Sequence, residues 1–208
     1  MEKVEHPRIV AIGASAGGLD AFQKLIENLP LDTGMAFVLL THILRGSESL
    51  LPEILARNTK MPVTQVTEGI NLCANHIYVL PPDKFMEIKQ GALHLIPRPN
   101  MPVNNAINHF LFSLAKEHAQ GSIGIILSGE GADGAEGIKN LKENAGGVTM
   151  AQEPSSAGSK SMPNNAIEID HVDYILSPEE IAKKLGSIGR EQSNIVMSPL
   201  KVLWMKNR

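Results

Sequence analysis

Apolar stretches of strand length alternate with segments of helical periodicity along most of the chain. Residues 9–12 form an apolar run that predicts a buried strand, and helical spacing of apolar residues over 19–29 predicts the helix that follows. Residues 35–41 form a longer apolar run, as expected for a strand buried on both faces of a parallel sheet. A short helix over 49–57 and a strand over 62–66 complete a βαβαβ pattern.

The middle of the chain changes character. Short β-like runs over 77–80, 85–88 and 93–96 are separated by Pro-Pro-Asp and Gln-Gly turns, which predicts a short antiparallel insertion or a sheet edge. An amphipathic helix follows, whose apolar face runs from Ile107 to His118. This region therefore interrupts the alternation of single strands and helices.

The alternation resumes after this helix. The predicted elements are, in order, a buried strand over 122–127, a helix over 135–144, a strand over 148–151, a polar loop over 157–165, a strand over 174–176 and a helix over 178–187. This order predicts a doubly wound α/β fold: a mostly parallel, Rossmann-like sheet flanked by helices, with its functional site at the C-terminal ends of the strands.

The organisation along the chain predicts one domain over 1–187, since no repeat or disordered linker divides it. Residues 188–208 form an extension of unknown role, in which Trp204 and its apolar neighbours either pack on the body or bind a partner.

Composition narrows the classes of function. Of the 208 residues 43% are hydrophobic, and a net charge of −3 gives no general attraction to nucleic acid or to an anionic membrane. The single cysteine, Cys73, excludes an internal disulfide framework and a cysteine-based zinc site. The charged N-terminus lacks a signal peptide, and the longest apolar run is too short to span a bilayer, which predicts a cytoplasmic protein.

A glycine-flanked serine stands between the first strand and the first helix. Gly13, Ser15 and Gly17 match Gly-x-Ser-x-Gly, the pattern of a nucleophile elbow, which leaves the hydroxyl exposed at a sharp turn. The helix N-terminus provides backbone N–H groups beside that hydroxyl, and we expect Ala16 N–H to stabilise an oxyanion there. The alternative is a glycine-rich turn whose serine only caps the helix.

Three side chains suited to acyl transfer follow three predicted strands: Ser15, His42 and Asp133. A serine hydroxyl needs a base, a histidine has the right acidity for that proton exchange, and a carboxylate orients the histidine. Asp83 is the rival carboxylate, but it lies in the inserted β region. The other histidines are predicted to be structural, and no pair of them has the spacing of a metal site, so neither a metal nor a cofactor is expected.

A dinucleotide site is the competing interpretation. Residues 129–134 match Gly-x-Gly-x-x-Gly between a strand and a helix, and Glu153 lies about twenty residues further on. Glu130 and Asp133, however, place two carboxylates inside the loop that would hold a pyrophosphate, and they would repel it. A catalytic carboxylate is compatible with the same loop.

Together these motifs resemble the chemoreceptor protein-glutamate methylesterases (CheB type), especially the version fused to methyltransferase and sensor modules. The matching motifs are Ile12-Gly13-Ala14-Ser15-Ala16-Gly17-Gly18, Thr41-His42, His76-x-Tyr78-x-x-Pro81-Pro82, Ile126-Leu127-Ser128-Gly129-x-Gly131-x-Asp133-Gly134, Ala151-Gln152-x-Pro154 and Met162-Pro163 with Ala166-Ile167.

The resemblance implies a largely parallel α/β enzyme that hydrolyses γ-glutamyl methyl esters on the cytoplasmic helices of chemoreceptors and can deamidate selected glutamines. It places the nucleophile on Ser15, the base on His42 and the carboxylate on Asp133, and it adds the backbone N–H of Glu130 as an oxyanion donor. Only eight residues precede the first predicted strand, so the phosphorylatable receiver domain that gates many family members is not expected in this chain, and a separate receiver or sensor protein is an expected partner. The alternative is a receptor-binding or regulatory module with little activity.

Three positions differ from the family pattern: Thr41 is usually Gln, Asn108 is usually Asp, and Asn164 is usually Arg. These differences affect how the catalytic histidine is supported, which contacts the substrate makes and which receptors the enzyme prefers.

Overall fold

A computed structural model describes residues 7–42, 46, 49–100, 104–117 and 121–205, with side chains described through residue 191. His118, predicted on the amphipathic helix, and the side chain of Trp204 lie outside the described residues.

The described chain contains ten strands and six α-helices. The strands are β1 (Arg8–Ala14), β2 (Met35–Thr41), β3 (Val63–Gln65), β4 (Ile70–Asn71), β5 (His76–Val79), β6 (Lys84–Lys89), β7 (Ala92–Pro97), β8 (Ile123–Ile126), β9 (Val148–Gln152) and β10 (Tyr174–Leu176). The helices are α1 (Gly18–Glu27), α2 (Leu51–Ala56), α3 (Ala106–Glu117), α4 (Ala135–Ala145), α5 (Ser161–Glu168) and α6 (Pro178–Met205).

A seven-stranded parallel sheet forms the centre of the fold. Its strand order is β10-β9-β8-β1-β2-β5-β3, so β1 lies between β8 and β2. Helices α3, α4 and α5 and the small sheet cover one face, while α1, α2 and α6 cover the other. The strands at the centre are apolar at nearly every position because both of their faces are buried. The mostly parallel, doubly wound fold predicted from the sequence is confirmed.

The inserted β region is smaller than the sequence predicts. Its first run, expected over 77–80, forms β5, a parallel strand of the main sheet between β2 and β3. That part of the prediction is wrong, because Ile77 and Val79 pack on one face of the main sheet and Tyr78 on the other. The other two runs form the β6–β7 hairpin, to which β4 adds a third antiparallel strand.

Two helices also differ from the prediction. The segment expected as a polar loop over 157–165 contains α5, because Met162 and Ala166, one helical turn apart, are both buried. Helix α6, expected to end at residue 187, continues to Met205. The proposed boundary between a domain over 1–187 and an extension thus falls inside a continuous helix.

Candidate active site

Ser15 lies in the tight turn between β1 and α1. Its backbone N–H donates to the carbonyl of Ser128 over 2.9 Å, and its own carbonyl accepts from Gly18 N–H over 2.8 Å. Gly17 has φ of +71°, and a Cβ there would lie 2.7 Å from Ser128 Oγ. Only glycine fits both requirements, so the turn that presents the Ser15 side chain depends on Gly17.

His42 and Asp133 are joined by a short hydrogen bond. His42 follows the last residue of β2, and its Nε2 lies 2.7 Å from Asp133 Oδ2. The Asp133 residue is only 6% exposed. Its Oδ2 also accepts from Ile107 N–H at 3.0 Å, and its Oδ1 accepts from Asn108 N–H at 2.9 Å. Asp133 therefore caps the N-terminus of α3, where the helix dipole favours a negative charge.

The sheet register brings the predicted residues to one edge. Ala14 of β1 pairs with Thr41 of β2, so Ser15 and His42 are the next residues on two adjacent parallel strands. Neighbouring strands lie about 4.8 Å apart. Within the described residues no hydrogen bond joins the Ser15 hydroxyl to His42, and catalytic hydrogen bonds often tighten only when substrate binds. The structure thus joins His42 to Asp133 and places Ser15 beside them.

The two predicted oxyanion donors are Ala16, which follows Ser15 in the turn, and Glu130, whose neighbour Gly129 packs against Ser15. In the described part of the chain, the backbone N–H groups of Ala16 and Glu130 donate to no other residue. Gly129 N–H, by contrast, donates to Ser159 O at 3.0 Å, and Gly131 N–H donates to Ser161 Oγ at 3.2 Å. Glu130 therefore keeps an unbonded N–H group between two amides that are satisfied, and Ala16 keeps one directly after the bonded amide of Ser15.

The loop that carries Glu130 is packed tightly against the nucleophile. A Cβ on Gly129 would lie 2.0 Å from Met162 Sδ and 3.1 Å from Ser15 Cβ. The Ser128 hydroxyl donates to Ala16 O at 2.8 Å and accepts from Ser159 N–H at 2.9 Å. These contacts hold the loop, the turn at Ser15 and the segment before α5 in one arrangement.

The model of the CheB methylesterase family matches residues 10–185. The chain belongs to the CheB methylesterase family. A relative from Leptospira interrogans, named a putative protein-glutamate methylesterase/protein-glutamine glutaminase, is 33% identical over 195 residues, which cover 89% of this chain and 96% of the relative. A Pseudomonas aeruginosa relative, protein-glutamate methylesterase/protein-glutamine glutaminase 3, is also 33% identical, over 87% of this chain and 54% of the relative.

The crystal structure of the Thermotoga maritima CheB methylesterase catalytic domain superposes with a TM-score of 0.81 at 25% identity, covering 88% of this chain and all of that domain. The family and the methylesterase class of enzyme predicted from the sequence are confirmed. The individual site residues stay predictions, supported by the geometry above.

Sequence reasoning assigned no role to Gln152, although the residue is part of a CheB methylesterase motif. Gln152 is 1% exposed; its Oε1 accepts from Ser128 N–H at 2.8 Å, and its Nε2 donates to Ser156 O at 3.0 Å. It therefore fixes the start of the loop that carries Glu130 and Asp133. Gln152 could have been singled out from the sequence, because a polar residue at the end of a buried strand needs hydrogen-bond partners.

Asp83, the alternative carboxylate considered in the sequence analysis, does not bind His42 in this CheB-family chain. Asp83 follows β5 with φ of +56°, and its Oδ2 accepts from Gly46 N–H at 3.0 Å. Its carboxylate therefore binds a backbone amide four residues after His42. Other histidines bind their own neighbours: His76 Nε2 lies 2.8 Å from Thr64 Oγ1, and His94 Nδ1 lies 2.7 Å from a carboxylate oxygen of Glu68.

The geometry of the second glycine-rich loop disfavours a dinucleotide. The amides of Gly129, Gly131 and Gly134 donate to Ser159, Ser161 and Asn108, so these amides are not available to bind a pyrophosphate.

Among the described residues, no group of three or more His, Cys, Asp or Glu side chains could hold a metal ion. Within the same residues, no helix is both long and apolar enough to cross a membrane.

Proposed function

We propose that this chain hydrolyses γ-glutamyl methyl esters on the cytoplasmic helices of chemoreceptors, giving glutamate and methanol, with Ser15, His42 and Asp133 as the catalytic residues. The observation that carries the proposal is the 2.7 Å bond between His42 and the buried Asp133, formed directly beside the turn that presents Ser15. A histidine held by a buried carboxylate next to an exposed serine turn is the arrangement that acyl transfer requires.

The geometry favours one nitrogen of His42 as the proposed base. Asp133 occupies Nε2, so Nδ1 is the nitrogen left to take the proton from the Ser15 hydroxyl. Oγ attacks the ester carbonyl carbon, and the negative charge moves to the carbonyl oxygen, where Ala16 N–H and Glu130 N–H can donate. One such donor typically contributes about 3 kcal/mol to transition-state stabilisation.

The second half of the reaction reverses the proton path. His42 Nδ1–H protonates the leaving methoxide, methanol departs, and the glutamyl acyl group remains on Ser15 Oγ. Water then gives a proton to Nδ1 as it attacks the acyl carbon, and the collapse of this intermediate returns the proton to Oγ and releases the carboxylate. Asp133 stabilises the imidazolium in both halves, and no step needs a cofactor.

The same residues can deamidate glutamine, because an amide differs from the ester only in its leaving group. The curated relatives carry both activities in their names. With glutamine, His42 Nδ1–H would protonate the leaving amide nitrogen, and ammonia would depart in place of methanol. We propose this second activity on the same receptor helices, in the cytoplasm, with a separate receiver or sensor protein as the regulating partner.

The test is methanol release from methylated receptor fragments by the purified chain. Ser15→Ala should lower kcat about a millionfold, as loss of the nucleophile does in serine hydrolases. Ser187→Ala, which changes a serine on α6 bonded to Lys183 O and to the Arg190 guanidinium, is the matched control and should keep full activity. Near-normal activity in Ser15→Ala would refute the catalytic assignment. Receptor binding by a folded wild type without methanol release would instead favour the regulatory module.

A further inference from the structure

Helices α3 and α4 exchange side-chain caps at their N-termini. Asp133, which precedes α4, accepts from two backbone N–H groups at the start of α3. In return Asn108, in the first turn of α3, reaches α4: its Oδ1 accepts from Gly134 N–H at 3.0 Å and from Gly137 N–H at 2.7 Å. A side chain at the start of each helix thus accepts hydrogen bonds from N-terminal backbone N–H groups of the other helix, which have no acceptor within their own helix.

This exchange requires the two helices to approach closely. A Cβ on Gly137 would lie 2.7 Å from Leu111 Cβ and 3.1 Å from Asn108 Oδ1. Gly134, with φ of +98°, leaves no room either, since its Cβ would lie 2.3 Å from Ile126 Cδ1. The backbone next to Asp133 is therefore fixed by packing, and Asn108 is the polar group at the centre of the contact.

An aspartate just before a helix has an alternative use for its carboxylate. Such a side chain readily accepts from the first N–H groups of its own helix, a few residues further along the chain. Here Gly134 N–H, just before α4, and Gly137 N–H, in its first turn, donate to Asn108, while Ala135 N–H donates to Ala132 O. The Asp133 carboxylate is consequently left for His42 and for the amides of α3.

We propose that Asn108 is a positioning residue, which holds Asp133 against His42 by occupying the amides of α4 that would otherwise compete for the carboxylate. The inference rests on the proposed esterase function. Without Asn108 Oδ1, the Asp133 side chain turns toward Gly134 and Gly137, and the bond to His42 lengthens. His42 then loses the partner that orients it and stabilises its protonated form.

The decisive variants are Asn108→Ala and Asn108→Asp, measured by methanol release and by proton NMR. The alanine variant should lower kcat roughly tenfold to hundredfold, as misplacement of a catalytic group by about 1 Å does, with KM unchanged. The far-downfield imidazole N–H resonance of the His42–Asp133 bond should weaken or move upfield. Asn108→Asp keeps an acceptor oxygen at the same distance and should restore kcat and the resonance.

Asn75→Ala is the matched control. Asn75 Oδ1 also accepts two hydrogen bonds, from Gly34 N–H at 2.8 Å and from Thr33 Oγ1 at 3.4 Å, but at the opposite edge of the sheet. It should destabilise the fold at least as much as Asn108→Ala and leave kcat and the downfield resonance unchanged. If Asn108→Ala does not fold, Gly137→Ala displaces the Asn108 oxygen without removing it and should produce the same loss.

The inference is overturned if folded Asn108→Ala, or Gly137→Ala in its place, retains both the kcat and the downfield resonance of the wild type. It is also overturned if Asn108→Asp fails to rescue the resonance of a folded protein. Failure of the proposed function looks different, because the wild type would then release no methanol, or Ser15→Ala would release as much. The NMR resonance reports on the His42–Asp133 bond in either case.

Discussion

Replacement of Asp133 by asparagine tests the site most directly, because the carboxylate accepts three hydrogen bonds that an amide cannot all accept. Oδ2 binds His42 Nε2 and Ile107 N–H, and Oδ1 binds Asn108 N–H. In one orientation the new NH₂ group faces Asn108 N–H, and in the other it faces Ile107 N–H and His42. Either way at least one backbone N–H of α3 loses its acceptor.

The expected losses follow from these contacts. A buried amide left without an acceptor costs about 1–3 kcal/mol of stability. The effect on catalysis is larger, because the imidazolium that forms during acyl transfer loses its negative partner. In the second orientation the new side-chain amide also donates to His42 Nε2, which moves the ring proton to Nδ1, the nitrogen needed as base. A tautomer change of this kind lowers kcat about 10⁴-fold in serine proteases, and we expect a similar fall in Asp133→Asn.

The assay combines methanol release under saturating substrate with urea denaturation of the same preparations. Asp173→Asn is the control, since Asp173 also accepts from a backbone N–H, that of Thr149 at 2.9 Å, but lies by Lys142 in the last turn of α4. Its kcat should equal that of the wild type. A folded Asp133→Asn protein with kcat within tenfold of the wild type would refute the catalytic role of Asp133.

Two further predictions concern packing and pH. Gly129→Ala should lower kcat about a hundredfold and destabilise the fold by about 1–3 kcal/mol, because the new Cβ would lie 2.0 Å from Met162 Sδ. Methanol release measures the first effect and thermal unfolding the second. Unchanged values for both would contradict the packing argument. Burial alone would raise the pKa of Asp173, but hydrogen bonds from Lys142 and Thr149 hold that pKa below its usual value. Asp173 therefore adds stability above the unfolded-state pKa of about 3.9 that is lost as pH falls through the lower folded-state value. In urea titrations from pH 7 to pH 2, Asp173→Asn should be less stable than the wild type at pH 7 and converge with it in acid, and a constant difference would contradict this.

Patterns that depend on burial could be predicted from the sequence. The run over 35–41 matches β2 (Met35–Thr41) at both ends, because a strand buried on both faces must be apolar throughout. The position of the candidate site was predicted from the same pattern, since the polar residues directly after such strands must lie at one edge of the sheet.

Elements decided by distant contacts could not be predicted. The apolar run over 77–80 has the same length as the runs over 85–88 and 93–96 that form the hairpin. The place of β5 beside β2 depends on pairing with a segment about forty residues earlier in the chain. Helix α5 has a polar sequence with an early proline and is helical because Met162 and Ala166 pack into the core. The cap formed by Asn108 joins residues 26 positions apart, which no local pattern reveals.

The choice between the two carboxylates shows where strand order alone would mislead. Asp83 follows β5, the direct neighbour of the strand that ends before His42, whereas Asp133 follows β8, two strands away. Adjacency would therefore favour Asp83. The N-terminus of α3 reverses this, because its amides hold the Asp133 carboxylate against His42 Nε2, while Asp83 turns to Gly46. The helix that is capped by Asp133 thus selects the partner of His42, so the stability of α3 and the proposed chemistry of the site depend on the same carboxylate.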